Sequence, residues 1–186
     1  MSSSDNPFSQ SSYRCKLYRG RHGAREAAAQ KDILVIVDTI SFSTAAVTAV
    51  HHGGLIFPCT WGEDRFVYAR SVQAEAAVGR QEVPEKGRFS LSPLTYLHLE
   101  PDTRIAVASA NGATCSQYAQ NVPYLLVGAL INARAVANVL THLLDTTDHD
   151  LTLIACGERW DPPTEDGELR VAIEDDLGAG AILSYL

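Results

Sequence analysis

The sequence has no apolar run approaching the roughly 20 residues needed to span a bilayer, so nothing in it predicts a membrane segment. No CxxC pair occurs, and Cys15, Cys59, Cys115 and Cys156 stand more than 40 residues from one another. That spacing, with no signal peptide upstream, argues against a zinc knuckle or a secreted disulfide framework and for reduced, mostly buried thiols in the cytoplasm. Positive charge is also short, at 15 Lys and Arg against 22 Asp and Glu, a formal net charge of −7. With no general basic surface to release counterions, broad binding to DNA or RNA is not expected. His22, His98, His142 and His149 have no metal-ligand spacing, while the His51–His52 pair sits at an expected helix end, so zinc is not expected either. Neither an internal repeat nor a domain linker is visible.

What remains is an ordinary globular composition, 186 residues with 46% hydrophobic and 20% charged, enough for one domain with a sizeable core. Residues 1–12, "MSSSDNPFSQSS", are polar and aperiodic and predict a mobile tail, which places the domain at 13–186. From Tyr13 onward, short apolar runs alternate with helical patterns. The strands read "YRCKLY", "DILVIV", "GLIFPC", "RIAVAS", "YLLVGAL" and "LTLIAC". The helices read "HGAREAAAQ", "TAAVTAVHH" capped by Ser43 or Thr44, "GEDRFVYARSVQAEAAV", "ATCSQYAQ", "NARAVANVLTHLL" and "AIEDDLGAGAILSYL". Residues 79–102 and 157–168, rich in Gly, Pro and charge, read as irregular. The alternation predicts an α/β fold, a three-layer α/β/α domain with a largely parallel or mixed sheet, because helical crossovers need parallel neighbours and cover both faces.

The run Ile33–Val37 is apolar throughout and suits a strand buried on both faces, yet it ends on Asp38. In open α/β sheets ligands bind beyond the carboxyl ends of the strands, where helix N-termini present N–H groups to anions. Asp38 emerges into such a crevice, together with the turns at Thr60–Glu63, Ser109–Gly112, Gly128–Asn132 and Gly157–Glu158. "DTISFST" is not a DxDx(T/V) aspartyl-phosphate motif, since Ile40 occupies the second acidic place; "ASANGAT" lacks the GK(S/T) ending of a P-loop, and no G-x-S-x-G elbow occurs. Asp38 reads equally as a helix cap. Glu174, Asp175 and Asp176 open the last helix, where the macrodipole alone favours acids. They also precede a Gly/Ala run that permits close packing. Asp38 with one or two of these acids could hold Mg²⁺, which often takes one or two carboxylates plus waters and phosphate oxygens.

In order along the chain, "VDTISFSTAAVTAVHHGG", "RFSLSPLTY", "ASANGAT", "VGALINARAVANVL", and "LIACGERW" followed by "AIEDDLGAGAILSYL" resemble the signatures of the ComB-type 2-phosphosulfolactate phosphatases, from about Tyr13 to Leu186. The resemblance implies that fold and a Mg²⁺-dependent phosphomonoester hydrolase, converting 2-phosphosulfolactate to sulfolactate in coenzyme M biosynthesis. Position by position it implies Asp38 and Glu158 as catalytic residues. Ser43, Thr44, Ser92, Asn111 and Gly112 would contact the substrate, and Asp38, Glu174 and Asp175 the metal. Asp38 as a covalent nucleophile stays open beside direct attack by water. The chain departs from the pattern where Ser41 replaces a usual arginine, where "ATCSQYA" lacks another, and where Leu91 replaces the asparagine of a G-N-S-P loop. Such losses weaken a site for a multiply charged substrate, so the substrate is expected to be altered unless Arg65, Arg88 or Arg159 compensates. The other class of function compatible with these losses is a silent scaffold of the same fold that binds a small anionic metabolite or a partner. The chain ends within its last helix where such proteins usually continue, leaving an edge absent or given by a partner subunit. A small phosphorylated acid is the expected substrate, a cytoplasmic homodimer the expected form.

Overall fold

The computed structural model describes residues 10–165 and 167–186. Residues 1–9 of the expected tail lie outside the described residues. Gln10 is tied down, its side chain donating to Leu17 O (2.9 Å) and accepting from Leu17 N–H (3.3 Å).

Strands β1 (Cys15–Arg19), β2 (Ile33–Val37), β6 (Tyr124–Gly128) and β7 (Leu151–Ala155) form a parallel sheet in the order β1-β7-β2-β6. A second parallel sheet has the order β3-β5-β4, from β3 (Leu55–Thr60), β4 (Glu75–Ala76) and β5 (Arg104–Ser109). Helices α1 (Gly20–Gln30), α2 (Phe42–His51), α3 (Arg65–Ser71), α4 (Gly112–Tyr118), α5 (Ala133–Thr146) and α6 (Ile173–Leu183) flank them, giving the expected α/β/α layering.

The uninterrupted apolar run of β2 has a direct cause. Ile33, Val35 and Val37 face α5 and α6, packing with Val136, Leu140 and Ile182, while Leu34 and Ile36 join the other core with Phe42, Ile105 and Val107. Pairing Val35 to both Leu126 and Leu153 leaves β2 no free edge, so water reaches it from no side. Each such side chain contributes about 1.5–3 kcal/mol on full burial.

Three local expectations are corrected. The single helix expected over Gly62–Val78 ends at Ser71: Gln73 adopts φ +53°, Ala74 N–H closes onto Ala69 O, and Glu75–Ala76 then pairs beside β5. The unpaired backbone edge of β5 requires partners, and that requirement overrides the helical periodicity. Residues 157–168, expected to be irregular, contain most of an antiparallel hairpin, β8 (Glu158–Thr164) and β9 (Gly167–Arg170). Pro162 and Pro163 hide the strand from a pattern reading, although an exposed edge tolerates proline. Neither Ser43 nor Thr44 caps α2; the cap position is Ser41 and no side chain fills it. Helix α2 does stop as expected, at Gly53 with φ +83° and Gly54 N–H on Ala49 O (2.9 Å).

The Gly/Ala run of α6 allows close approach at one glycine only. A Cβ on Gly178 would lie 2.4 Å from Thr39 Oγ1 and 3.0 Å from Val37 Cγ1, whereas one on Gly180 meets nothing. Gly178→Ala is therefore expected to destabilise by about 1–3 kcal/mol through overpacking. Gly180→Ala should stabilise by about 0.5–1 kcal/mol from helix propensity. Urea unfolding of the two variants checks the contrast.

At the amino ends of the strands Lys16 is buried between Asp32 (3.1 Å) and Asp150 (3.2 Å), with Gln30 Oε1 at 2.9 Å and the Thr152 hydroxyl donating to Asp32. Burial pulls the Lys16 ammonium down, but its hydrogen bonds to Asp32 and Asp150 outweigh this and hold it above the usual lysine value. Asp38 lies at the opposite, carboxyl end of β2.

Candidate active site

Asp38 follows β2 and is only 6% exposed. Its carboxylate accepts from Gly112 N–H (2.9 Å) and the Ser109 hydroxyl (3.4 Å) on one oxygen, and from Phe42 N–H (3.4 Å) on the other. Ser109 ends β5 and Gly112 opens α4, so this one side chain joins the exits of both sheets. Burial pushes the Asp38 carboxyl above the usual carboxylate range; the Gly112 and Phe42 hydrogen bonds oppose the rise and the nearby Glu158 charge adds to it.

Asp175, in the first turn of α6, is 3% exposed and reaches the same region. It accepts Thr39 N–H (2.7 Å) on Oδ1 and Gly157 N–H (2.8 Å) on Oδ2. Its carboxyl is pushed up to about 7, first by burial and then, against the two backbone hydrogen bonds, by the charges of Asp38 and Glu174. The acids at positions 38 and 175, far apart in sequence, are thus electrostatic neighbours. Unfolded, an aspartate titrates near 3.9, so the folded chain holds a proton that the unfolded chain releases. The stability this gives is fully present below about pH 4 and is lost as the pH rises through about 7. In chelator, the folding free energy is expected to fall across that window by on the order of 3 kcal/mol. The profile of Asp175→Asn should be flatter, which denaturant melts from pH 4 to 8 would measure.

The other expected residues divide into two groups. Asn111 donates from Nδ2 to Glu158 Oε2 (2.9 Å), and Asn111 N–H donates to Ser109 Oγ (3.2 Å), so Asn111 and Glu158 stand together beside Asp38. Ser43 and Thr44, by contrast, turn inward. The fully buried Ser43 hydroxyl donates to Ile36 O and accepts Asp38 N–H, and Thr44 Oγ1 donates to Thr39 O. With the Gly112 N–H donating to Asp38, all three shape the Asp38 turn. Ser92 is half-buried in a turn at Pro93–Tyr96, its N–H on Ser90 Oγ and its carbonyl accepting from Thr95 Oγ1. Tyr96 anchors that loop, buried, with its hydroxyl donating to Ser90 O (2.6 Å).

Of the arginines considered as compensators, Arg88 faces outward on Glu75. Arg65, with Glu82 at 3.7 Å, lines a cavity of about 370 Å³ together with Ser41, Arg80 and Leu91. Arg159 borders a smaller cavity of about 190 Å³ beside Glu158 and Asn111. Arg21 was missed by sequence reasoning. Its Nε (3.2 Å) and Nη2 (2.6 Å) donate to Ala110 O and hold the Ser109–Gly112 turn in place. The cluster "RGRHGAR" between a strand and a helix was the available signal.

The donor set has the chemistry for a divalent cation. The Asp38 charge raises the affinity of Asp175 for its proton, the Glu158 charge does the same to Asp38, and among the described residues neither aspartate makes an ion pair. Thr39 Oγ1, between them in sequence terms and next to Asp38, is buried without a partner. Glu174, half-buried, precedes Asp175 in the first turn of α6. No group of three His, Cys, Asp or Glu side chains among the described residues is arranged to hold a metal, so a cation here would draw much of its shell from water and ligand oxygens.

Residues 21–186 match the family model described as 2-phosphosulpholactate phosphatase. A "probable 2-phosphosulfolactate phosphatase" of Clostridium novyi (strain NT) is 27% identical over 167 residues, covering 87% of this chain and 66% of that relative. One of Carboxydothermus hydrogenoformans (strain ATCC BAA-161 / DSM 6008 / Z-2901) is 27% identical over 161 residues, covering 85% and 62%. The chain therefore spans a little under two thirds of the length of these relatives. A match running from the first turn of α1 to the final residue, through every element that builds the Asp38 crevice, makes this chain a member of the 2-phosphosulfolactate phosphatase family.

Proposed function

We propose that the protein is a Mg²⁺-dependent phosphomonoester hydrolase acting on a small phosphorylated acid related to 2-phosphosulfolactate. The observation that carries this reading is the meeting of Asp38, the Ser109–Gly112 turn and Glu158 at the carboxyl ends of the strands. Family membership and the printed names of the relatives support the substrate class. Asp38 would hold the cation, with Asp175 or Glu174 behind it. When bound, Mg²⁺ supplies positive charge against the phosphoryl oxygens. Glu158, oriented by Asn111 Nδ2, takes one proton of the attacking water as the water oxygen bonds phosphorus, and passes it to the ester oxygen, which leaves with the electron pair of the broken phosphorus–ester bond. Arg65 and Arg80 bring further positive charge to the cavity beside Ser41. The same reading takes the protein as a cytoplasmic homodimer, for which sedimentation gives the assembly state.

The test is phosphate release from a panel of phosphorylated 2-hydroxy acids, with Mg²⁺ and with chelator. Turnover of at least one member, abolished by chelator, is expected. No turnover on any of them, with ligand binding retained, would favour the silent scaffold. Rapid quench separates a phosphoenzyme on Asp38 from direct attack by water.

A further inference from the structure

The cavity of about 190 Å³ that Glu158 and Asn111 line is also walled by Arg19, Arg21, Arg25 and Arg159, from the β1–α1 junction, α1 and β8. Two of these guanidinium groups are committed elsewhere, and Arg21 spends its Nε and Nη2 on Ala110 O. Arg19 is paired with Asp176 (3.0 Å), and Arg25 stacks on the Tyr118 ring (4.0 Å to its centroid). The other two meet a single acid, Glu168, at 2.7 Å from Arg159 Nη2 and 3.7 Å from Arg21 Nη1. Arg159 Nε is buried and, among the described residues, has no hydrogen-bond partner.

Glu168 is delivered there by the β8–β9 hairpin, whose β9 is exposed along its whole length. Next to it, Leu169 lies against Gly20 and Gly157. A Cβ on Gly20 would be 3.0 Å from Leu169 Cδ1 and one on Gly157 2.7 Å away, and both glycines have left-handed φ, +62° and +67°. An isolated two-stranded hairpin is marginally stable, and here two adjacent side chains seat it, one apolar and one anionic.

We propose that this cavity is a second oxyanion site, and that the Glu168 carboxylate is its internal occupant, which a small oxyanion must displace. The ligand class is a small oxyanion: free phosphate, or an acidic group on the non-reacting part of a larger ligand. An incoming oxyanion regains the Arg159 and Arg21 contacts that Glu168 gives up and adds a hydrogen bond to the orphaned Arg159 Nε. The hairpin then swings on Gly157. This inference goes beyond the hydrolase reading and does not need turnover.

The experiment is calorimetric titration of the full chain, without metal, with inorganic phosphate in one arm and acetate in the other. Backbone amide chemical shifts locate the binding. Glu168→Gln is expected to bind phosphate about fivefold more tightly than the unaltered chain, with shifts at residues 19–25 and 157–159. Adding Arg159→Gln to Glu168→Gln should cancel the gain. Tightening in the acetate arm as well assigns the site to any oxyanion, and tightening for phosphate alone assigns it to free phosphate. Equal or weaker phosphate binding by Glu168→Gln, or shifts confined to residues 38–44, would overturn the proposal. Retained binding without catalysis would overturn only the hydrolase reading, so the two failures are distinguishable.

Discussion

Replacing Asp38 with asparagine is expected to lower the rate of phosphate release about a hundredfold or more while leaving the protein as stable as before, or slightly more so. The two effects have separate causes. Asparagine keeps an acceptor for Gly112 N–H and fills the same volume, so the turn between the sheets survives. It also removes a buried charge from beside Glu158, where burial and that neighbour already favour the neutral form. What it cannot do is attract a cation or act as a nucleophile. Steady-state phosphate release and thermal melts of Asp38→Asn measure both effects. Retained turnover would remove Asp38 from the mechanism, and a large loss of stability would mean that its charge is structural.

The second large effect lies at the other end of the same strands. Lys16→Met should destabilise the fold by about 3–5 kcal/mol, because it strands the Asp32 carboxylate, 4% exposed, without its cation. In a domain of this size that corresponds to a fall in Tm on the order of 10 °C. Adding Asp32→Asn to Lys16→Met should recover part of the loss, since no buried charge then remains unpaired there. Failure of the second substitution to recover anything would show that the packing of the lysine stem, and not the ion pair, carries the stability.

Much of this architecture was legible in the sequence because its central strands are locally unambiguous. Ile33–Val37 reads as a doubly covered strand and Leu151–Ala155 as a strand from composition alone, and both are fully buried. The helix over Gly62–Val78 misled because its apolar spacing satisfies a helix while β5 needs a strand partner, a demand placed by residues some 30 positions later. The hairpin was hidden by its prolines. At the site, acids at a helix start beside a Gly/Ala run pointed to one or two of Glu174, Asp175 and Asp176 near Asp38, the resemblance to Glu174 and Asp175, and Asp175 is the one that bonds the Thr39 and Gly157 backbone. Ser43, Thr44 and Gly112 were assigned to ligand contact because hydroxyls and N–H groups look alike in a sequence whether they face a cleft or staple a turn. In the fold, these groups donate to Ile36 O, Thr39 O and Asp38 Oδ2. Arg21 escaped because its partner, Ala110 O, lies 89 positions away.

The carboxylate of Asp175 grips Thr39 N–H with one oxygen and Gly157 N–H with the other, so it sutures the exits of two adjacent strands, β2 and β7, to the start of α6. Three loops are thereby geared to a single acid. A shift that any one of them makes on meeting a ligand is passed to the others, and in related chains positions 39, 157 and 175 should drift in concert or stay put together.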